Sequence, residues 1–218
     1  MDFLYADLTD LGRFASGFLN TLWMTVIAGV GSMILGTIVA ILRISPVPAF
    51  NKLALYWTEL FKNCPLTVVL FFLAFGFPEA GFNASYLTFG IAGLILYTSA
   101  YVSEAVRAGF EAIPKGQFEA AKALGLNFST TMRHIAIAQA LKGMLPPLTS
   151  VFTSMAKDTA IVGSFGVGGE LFSLANQLTV SEGRPVVPVF IGIACSYYVL
   201  LLPASIISAR LETRELKR

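Results

Sequence analysis

Three long stretches of this chain contain no charged side chain, and they constrain its fold more than any other feature. A helix needs roughly 20 residues to cross a hydrocarbon core of about 30 Å, and each stretch is longer than that. Apolar residues make up 56% of the chain and charged residues only 13%, against roughly 25% charged in soluble domains. The pattern predicts an all-α integral membrane protein, with the uncharged stretches at residues 14–42, 80–103 and 185–209.

Two further spans are predicted from less regular stretches. Residues 63–78 are uncharged but too short to cross alone, so this span extends back to residue 54 and includes Glu59 and Lys62. Another runs from Gly143 to Gly169 and contains Lys157 and Asp158. We expect a single domain over residues 1–218 with five spans, at about 18–42, 54–77, 84–106, 143–168 and 186–208.

The basic residues give these spans an orientation. Most of the 15 lysine and arginine residues lie beside the first and third connections or after the last span. The positive-inside rule places such residues in the cytoplasm, so we expect a cytoplasmic C-terminus and an external N-terminus. Apolar residues in the first 14 positions predict a helix lying in the outer interface, and they are Phe3, Leu4, Leu8, Leu11 and Phe14.

A compact, alanine-rich segment at residues 115–126 lies in the third connection. Pro114 and Gly116 indicate the start of a helix, Glu119 a charged first turn, and Gly125 a left-handed cap at its end. Two adjacent alanines would leave a bare patch that another protein could approach. The segment predicts a cytoplasmic helix that couples to a partner, with a membrane-surface helix as the alternative. The candidate coupling residues are Gly116, Gln117, Glu119, Ala120, Ala121 and Gly125.

Several patterns bear on helix packing. Small residues recur every four positions at Ala28, Ser32, Gly36 and Ala40, which favours close helix approach. The adjacent prolines at 146–147 predict a kink or break in the fourth span. The glycine-rich run at residues 164–169 predicts non-helical backbone, which membrane proteins tolerate where it is buried or lines a cavity.

Placing a charged side chain in the bilayer core costs free energy, so charged residues within spans usually face a bundle interior or an aqueous path. For Lys157 and Asp158 the sequence leaves two interpretations open, a transport path or structural pairing, for example of Lys157 with Glu104 or Glu170. On the third span, Glu104, Arg107 and Glu111 have the spacing of an ion-pair ladder.

Motifs for chemistry are missing from the chain. It has no glycine-rich phosphate-binding loop with the G-x-x-x-x-G-K-[ST] pattern, no cysteine or histidine pattern typical of a metal site, and no plausible Ser-His-Asp set. We therefore expect no enzyme activity, no bound cofactor and no metal in this subunit.

Two motifs resemble a known family. They are Glu104-Ala105-Val106-Arg107-Ala108-Gly109 and the segment Ile113 to Gly125, IPKGQFEAAKALG, and together they are similar to the permease subunits of bacterial ABC importers for polar amino acids. Weaker similarities occur at residues 20–22, 62–67, 145–148 and 157–160. Ala138 stands where the family usually has proline.

The resemblance implies a mechanism and partners. A second permease, two ATPase subunits that bind ATP and Mg²⁺, and an extracytoplasmic amino-acid-binding protein would complete an importer in the bacterial cytoplasmic membrane. Ala138 favours a heterodimer with a related permease, and the overall pattern favours glutamate or glutamine as substrate. The candidate substrate path comprises Tyr97, Ser99, Ser103, Ser154, Lys157, Asp158 and Thr159. An ion-coupled secondary transporter and a non-transporting scaffold subunit are the alternatives.

Overall fold

The computed structural model describes residues 8–166 and 169–215, and within those ranges the regular structure is helical, without a strand. The all-α prediction is confirmed. The helices are α1 (Leu8–Arg43), α2 (Pro48–Asn63), α3 (Leu66–Phe71), α4 (Phe77–Glu79), α5 (Tyr86–Glu111), α6 (Lys115–Ala123), α7 (Phe128–Thr131), α8 (Ile137–Ser164), α9 (Leu171–Asn176) and α10 (Val186–Glu215). Three π-helical turns also occur in the described residues: Phe72–Gly76 connects α3 to α4, Met132–Ala136 connects α7 to α8, and Gln177–Ser181 follows α9.

Four of the described helices are long and apolar enough to cross a membrane alone, namely α1, α5, α8 with its preceding turn, and α10. Gly31 of α1 faces Ile95 of α5, and Gly36 faces Val102, so these two helices run parallel. A parallel arrangement requires the chain to cross back between them. The segment α2–α4 must therefore be the second crossing, which gives five.

The second crossing is broken, which differs from the continuous span predicted at residues 54–77. α2 and the α3–α4 segment meet at an angle of 102°. Pro65 supplies no N–H to a continuing helix and disfavours helical backbone at Cys64 before it, whose φ of −99° and ψ of 130° are extended. α3 and α4 then run antiparallel to α5, since Leu70 faces Gly93 whereas the later Phe77 lies against the earlier Phe89, with ring centroids 6.4 Å apart.

The remaining two crossings alternate in direction. Gly109 near the end of α5 packs on Ala140 and Met144 near the start of α8, so α5 and α8 are antiparallel. Thr149 Oγ1 of α8 lies 3.0 Å from Ser208 Oγ near the end of α10, and Thr159 Oγ1 lies 3.2 Å from the Tyr197 hydroxyl, so α8 and α10 are antiparallel. We call the end of the bundle at which α1, α5 and α10 begin the N-face, and the opposite end, where α10 finishes, the C-face.

The small-residue stripe of α1 packs into the bundle as predicted. Ala28, Ser32 and Ala40 are buried, and the Ser32 hydroxyl donates to the Ala28 carbonyl at 2.7 Å, so burial leaves no unsatisfied donor there. A Cβ on Gly36 would lie 2.6 Å from Val102 Cβ. Glycine at this position therefore sets the distance between α1 and α5.

In two places a helix continues where the sequence predicted an interruption. The expected interfacial helix is absent from the described part of the N-terminal segment, because Leu8, Leu11 and Phe14 belong to the continuous 36-residue α1; Phe3 and Leu4 lie outside the described residues. Pro146 and Pro147 do not break α8, which continues through both. The two prolines leave the carbonyls of Lys142 and Gly143 without their helical N–H donors, and neighbouring helices, hydroxyl groups or water can satisfy such carbonyls in a membrane helix.

The connection between α8 and α10 folds back onto the start of α1. The backbone is non-helical at residues 165, 166 and 169, as predicted, and residues 167 and 168 lie outside the description. Asn20 Nδ2 donates to the Gly169 carbonyl at 2.7 Å, and the Leu171 N–H donates to Thr21 Oγ1 at 3.1 Å. These bonds hold the connection to the N-face.

Glu170 begins α9 and is almost fully buried. Its carboxylate accepts hydrogen bonds from the backbone N–H groups of Phe172, at 2.6 Å, and Ser173. Burial raises the pKa of the Glu170 carboxyl, although these hydrogen bonds oppose the shift. The side chain therefore caps a short helix and is a structural element of the N-face.

Candidate functional site

A polar cavity opens between α5 and α8 at the middle of the bundle. Its volume is about 400 Å³. The lining side chains carry mostly hydroxyl groups, with a single carboxylate among them. They are Tyr97, Thr98, Tyr101, Ser150, Val151, Ser154, Met155 and Asp158.

The helical repeat explains how the polar groups come together. Tyr97 and Tyr101 are four residues apart on α5, which places them on one face; their hydroxyls are 3.1 Å apart and their ring centroids 5.2 Å apart. On α8, Ser150, Ser154 and Asp158 follow the same spacing. Each helix thus contributes one polar stripe to the shared cavity.

Asp158 is the carboxylate of this cavity. Its side chain is half-buried, and within the described residues no lysine or arginine lies within salt-bridge distance of it. Lys157, the next residue, points about 100° away around α8. A carboxylate at this depth is favourable only with water, a proton or a cationic group nearby.

Lys157 lies in a neighbouring groove between α8 and α10, with a volume of about 320 Å³. The two partners considered for Lys157 are engaged elsewhere. Glu104 is 2.6 Å from Arg107 and 3.8 Å from Lys62, and Glu170 caps α9. The groove shares two serines with the Asp158 cavity, and its lining is Ser150, Thr153, Ser154, Lys157, Ser205, Ser208 and Ala209.

Three predicted path residues do not line either cavity, because they are buried between helices. Trp57 Nε1 donates to Ser99 Oγ at 3.0 Å, which directs this serine toward α2. Thr159 Oγ1 donates to the Ala156 carbonyl at 2.7 Å and lies 3.2 Å from the Tyr197 hydroxyl. Ser103 is also buried. The structure therefore brings together Tyr97, Ser154 and Asp158, with Lys157 beside them.

Sequence reasoning missed Thr98, Tyr101 and Ser150. Tyr101 and Ser150 lie four residues from Tyr97 and Ser154, respectively, so the helical repeat alone could have identified them. Thr98 follows Tyr97 directly and had no such signal.

The segment after α5 forms a short helix at the C-face, as predicted. Pro114 precedes α6, and Gly125 follows it with a φ of +72°, a left-handed conformation that favours glycine. Glu119 lies in the second turn instead of the predicted first turn, because α6 begins at Lys115. Most of the helix surface is exposed.

The bare patch predicted on this helix is only half correct. Ala120 is exposed, but Ala121 is 1% exposed and packs into the chain itself. Gly116, Gln117 and Glu119 are exposed. Sequence reasoning missed two exposed apolar side chains beside them, Phe118 at 38% and Leu124 at 78% exposure.

The C-face also carries the predicted ion-pair ladder. Arg107 bonds to Glu104 at 2.6 Å and to Glu111 at 2.5 Å. Gln139 Nε2 of α8 donates to Gln117 Oε1 of α6 at 3.3 Å. α6 is thereby connected to α8, the helix that carries Asp158.

A five-crossing helical bundle with a polar, partly open cavity and an exposed connecting helix has the architecture of a membrane transport subunit. The chain belongs to the family of binding-protein-dependent transport system inner membrane components, whose model matches residues 13–217. It is accordingly a multi-pass membrane protein.

Named relatives agree with this assignment. The chain is 37% identical over 205 residues to the probable glutamine ABC transporter permease protein GlnM of Bacillus subtilis (strain 168), covering 94% of each chain. It is 34% identical over 218 residues to the probable glutamine ABC transporter permease protein GlnP of the same strain, covering 99% of this chain and 100% of GlnP. A crystal structure of an amino acid ABC transporter with histidines matches with a TM-score of 0.89 and 32% identity, covering 98% of this chain and 99% of that chain.

Proposed function

We propose that this permease forms the translocation path for a polar amino acid, with glutamine or glutamate favoured, in an ATP-driven importer. The observation that carries the proposal is the half-buried Asp158 carboxylate, which faces a cavity lined by hydroxyl groups and has Lys157 on the adjacent face of the same helix. The names of the two glutamine permease relatives support the substrate class.

The charges of Asp158 and Lys157 are complementary to the ammonium and carboxylate groups that every α-amino acid carries. An α-amino acid carries an ammonium group and a carboxylate close together. In our proposal Asp158 accepts hydrogen bonds from the ammonium group, Lys157 attracts the carboxylate, and Ser150 and Ser154, which line both spaces, bridge them. Tyr97 and Tyr101 then contact the substrate side chain as donors or acceptors.

We propose that α6 couples this path to an ATPase subunit through Gly116, Gln117, Glu119, Ala120 and Gly125. Leu124 and Phe118 add exposed apolar area suited to a groove on the partner. Ala121 supports the helix from the inside. ATP and Mg²⁺ belong to the ATPase, and a motion of α6 would reach α8 through Gln117 and Gln139.

The remaining assembly follows the same proposal. The C-face is cytoplasmic and the N-face external, where a solute-binding protein delivers the amino acid. A second permease completes the path, and a related chain is favoured over an identical one; GlnM and GlnP of one strain both resemble this chain.

The test is uptake of radiolabelled glutamine and glutamate by proteoliposomes containing the complete importer, with the Glu119→Lys variant beside wild type. We expect uptake to require ATP inside the vesicles, and Glu119→Lys to abolish uptake or release the ATPase during purification. Glu59→Lys is the matched control, since Glu59 is an exposed carboxylate on α2 and outside α6. ATP-independent uptake driven by an ion gradient, or full activity of Glu119→Lys, would contradict the proposal.

A further inference from the structure

A second cavity lies on the flank of the bundle, in the elbow between α2 and α3. Its volume is about 410 Å³, and no polar atom lines its surface. Side chains of α2, of the α3–α4 segment and of α5 enclose it. They are Leu60, Phe61, Cys64, Val68, Val69, Phe72, Leu73, Phe77 and Leu96.

The elbow groove does not belong to the polar cavity. Leu96 lines the groove and Tyr97 lines the polar cavity, and consecutive residues of a helix point about 100° apart. The groove therefore opens on a different side of α5 from Asp158. A second permease that completes the polar cavity would contact that other side of α5.

The length and entrance of the groove suit an acyl chain that enters at the C-face. Along α3 and α4 the groove extends from Cys64 to Phe77, about 20 Å at the helical rise, so its far end lies past the midplane of a hydrocarbon core about 30 Å thick. Lys62, two residues before Cys64, is paired with Glu104, which lies about 27 Å along α5 from Tyr86. The elbow is thus near the C-face boundary of the core, and the groove rises from it toward the N-face.

Helix α2 has the character of an interfacial helix at that boundary. Its exposed surface carries polar residues at Lys52, Glu59 and Asn63, and apolar residues at Leu53 and Leu60. An amphipathic helix of this kind lies in the plane of the interface. It places the opening of the groove where the acyl chain of a C-face lipid begins.

We propose that the elbow groove binds one acyl chain of a phospholipid from the C-face leaflet. Its walls enclose the chain on several sides, so the chain gains dispersion contacts that a flat helix surface does not offer. Val68 is 53% and Phe72 63% exposed, which leaves the side of the groove open to the bilayer for entry. The lipid fills the space that the broken second crossing leaves between α2 and α3.

Photocrosslinking tests the site in the complete importer, reconstituted in bilayers that contain phosphatidylglycerol with a diazirine on one acyl chain. We expect a diazirine near the glycerol to label residues around Leu60 and Val68, and one at the chain end to label residues around Phe77. Labelling there should exceed that of the flat, exposed α1 surface at Ile34 and Ile38 by about tenfold, because of the added contacts.

Two filling variants, Val68→Trp and Leu60→Trp, should each remove most of the groove adducts, while Ile34→Trp should leave them unchanged. The two substitutions lie on exposed positions of different helices, so a folding defect in one leaves the other informative. Equal labelling of the groove and α1, or adducts with the isolated permease that disappear in the complete importer, would overturn the proposal. The second result would show that a protein partner occupies the groove.

Discussion

At the residue scale, the charges inside this bundle fall into two groups with different surroundings. Close to the C-face, Arg107 pairs with Glu104 at 2.6 Å and Glu111 at 2.5 Å, and Lys62 supplies a second positive charge 3.8 Å from Glu104. Asp158 instead faces an open cavity. Spacing on one helix predicted the pairs of Arg107, because residues three and four apart share a face. The surroundings of Asp158 and Lys157 depend on how α5 and α10 pack beside α8, and residue spacing along one helix cannot predict this packing.

Asp158→Asn should lower amino-acid uptake by about tenfold or more at unchanged permease abundance, since a hydrogen bond to a charged group contributes roughly 1.5–3 kcal/mol. The measurement is initial uptake in proteoliposomes over a range of substrate concentrations. Glu59→Gln, which removes an exposed carboxylate on α2, should leave uptake unchanged. Equal uptake by Asp158→Asn and wild type would exclude a role for the carboxylate in the path.

The Arg13–Glu182 pair should make the N-face sensitive to acid. The hydrogen bond from Arg13 lowers the pKa of the Glu182 carboxyl. A lowered pKa in the folded state gives stability that is present above the unfolded value of about 4.3 and is lost as the pH falls through the folded value. Amide hydrogen exchange, corrected for the intrinsic effect of pH, should therefore accelerate at residues 177–185 below about pH 4. Glu182→Gln should show that faster exchange already at pH 7, and an identical profile for the variant and wild type would rule out the contribution.

At the element scale, helix contacts in this protein depend on close backbone approach, and the sequence predicted only part of it. The α1 stripe of small residues was recognisable, because four-residue spacing identifies a helix face without knowledge of the partner. The broken second crossing was not predicted, although Pro65 was visible. At the adjacent prolines of α8 the error was the reverse: the sequence predicted an interruption, and the helix continues through both residues. Whether a proline ends a helix depends on which neighbours replace the lost hydrogen bond, and this information is tertiary.

Gly36→Ala should destabilise the permease by about 1–3 kcal/mol, a typical cost of overpacking. The added methyl would lie 2.6 Å from Val102 Cβ and 2.8 Å from the Ser99 carbonyl oxygen, so α1 and α5 must separate. The midpoint of thermal unfolding in detergent is the measurement.

Gly116→Ala is the matched control for this experiment. Nothing lies within 4 Å of a Cβ at Gly116, and alanine in a helix is more favourable than glycine by roughly 0.5–1 kcal/mol. The control should be as stable as wild type or slightly more stable. A Gly36→Ala protein with the same unfolding midpoint as the control would show that the α1–α5 distance is not fixed by this glycine.

At the scale of the whole molecule, hydropathy and charge distribution were sufficient to predict the number of crossings. The parallel packing of α1 and α5 then shows that the second crossing is complete. The arrangement of the helices around one another could not be predicted from the sequence, since it depends on long-range contacts. For this reason the sequence assigned three residues to the path that the structure buries: Ser99 packs against α2, Thr159 against α10, and Ser103 is buried.

The proposed orientation predicts the accessibility of two engineered cysteines in a chain without Cys64 and Cys195. Ala84 and Ala120 are exposed and lie beyond opposite ends of α5, which is about 39 Å long. A membrane-impermeant maleimide should label Ala84→Cys from the external side of the cytoplasmic membrane, and Ala120→Cys only after that membrane is permeabilised. The reverse pattern would invert the topology and place α6 away from any cytoplasmic ATPase.

The elbow at Cys64 and Pro65 also has a consequence for biosynthesis. α2 has 16 residues and carries Lys52, Glu59 and Lys62, whereas the α3–α4 segment spans only residues 66–79. Neither half has the roughly 20 apolar residues that integrate efficiently on their own. We therefore expect this region to integrate together with α5, the next crossing, because neither part is long and apolar enough to insert alone.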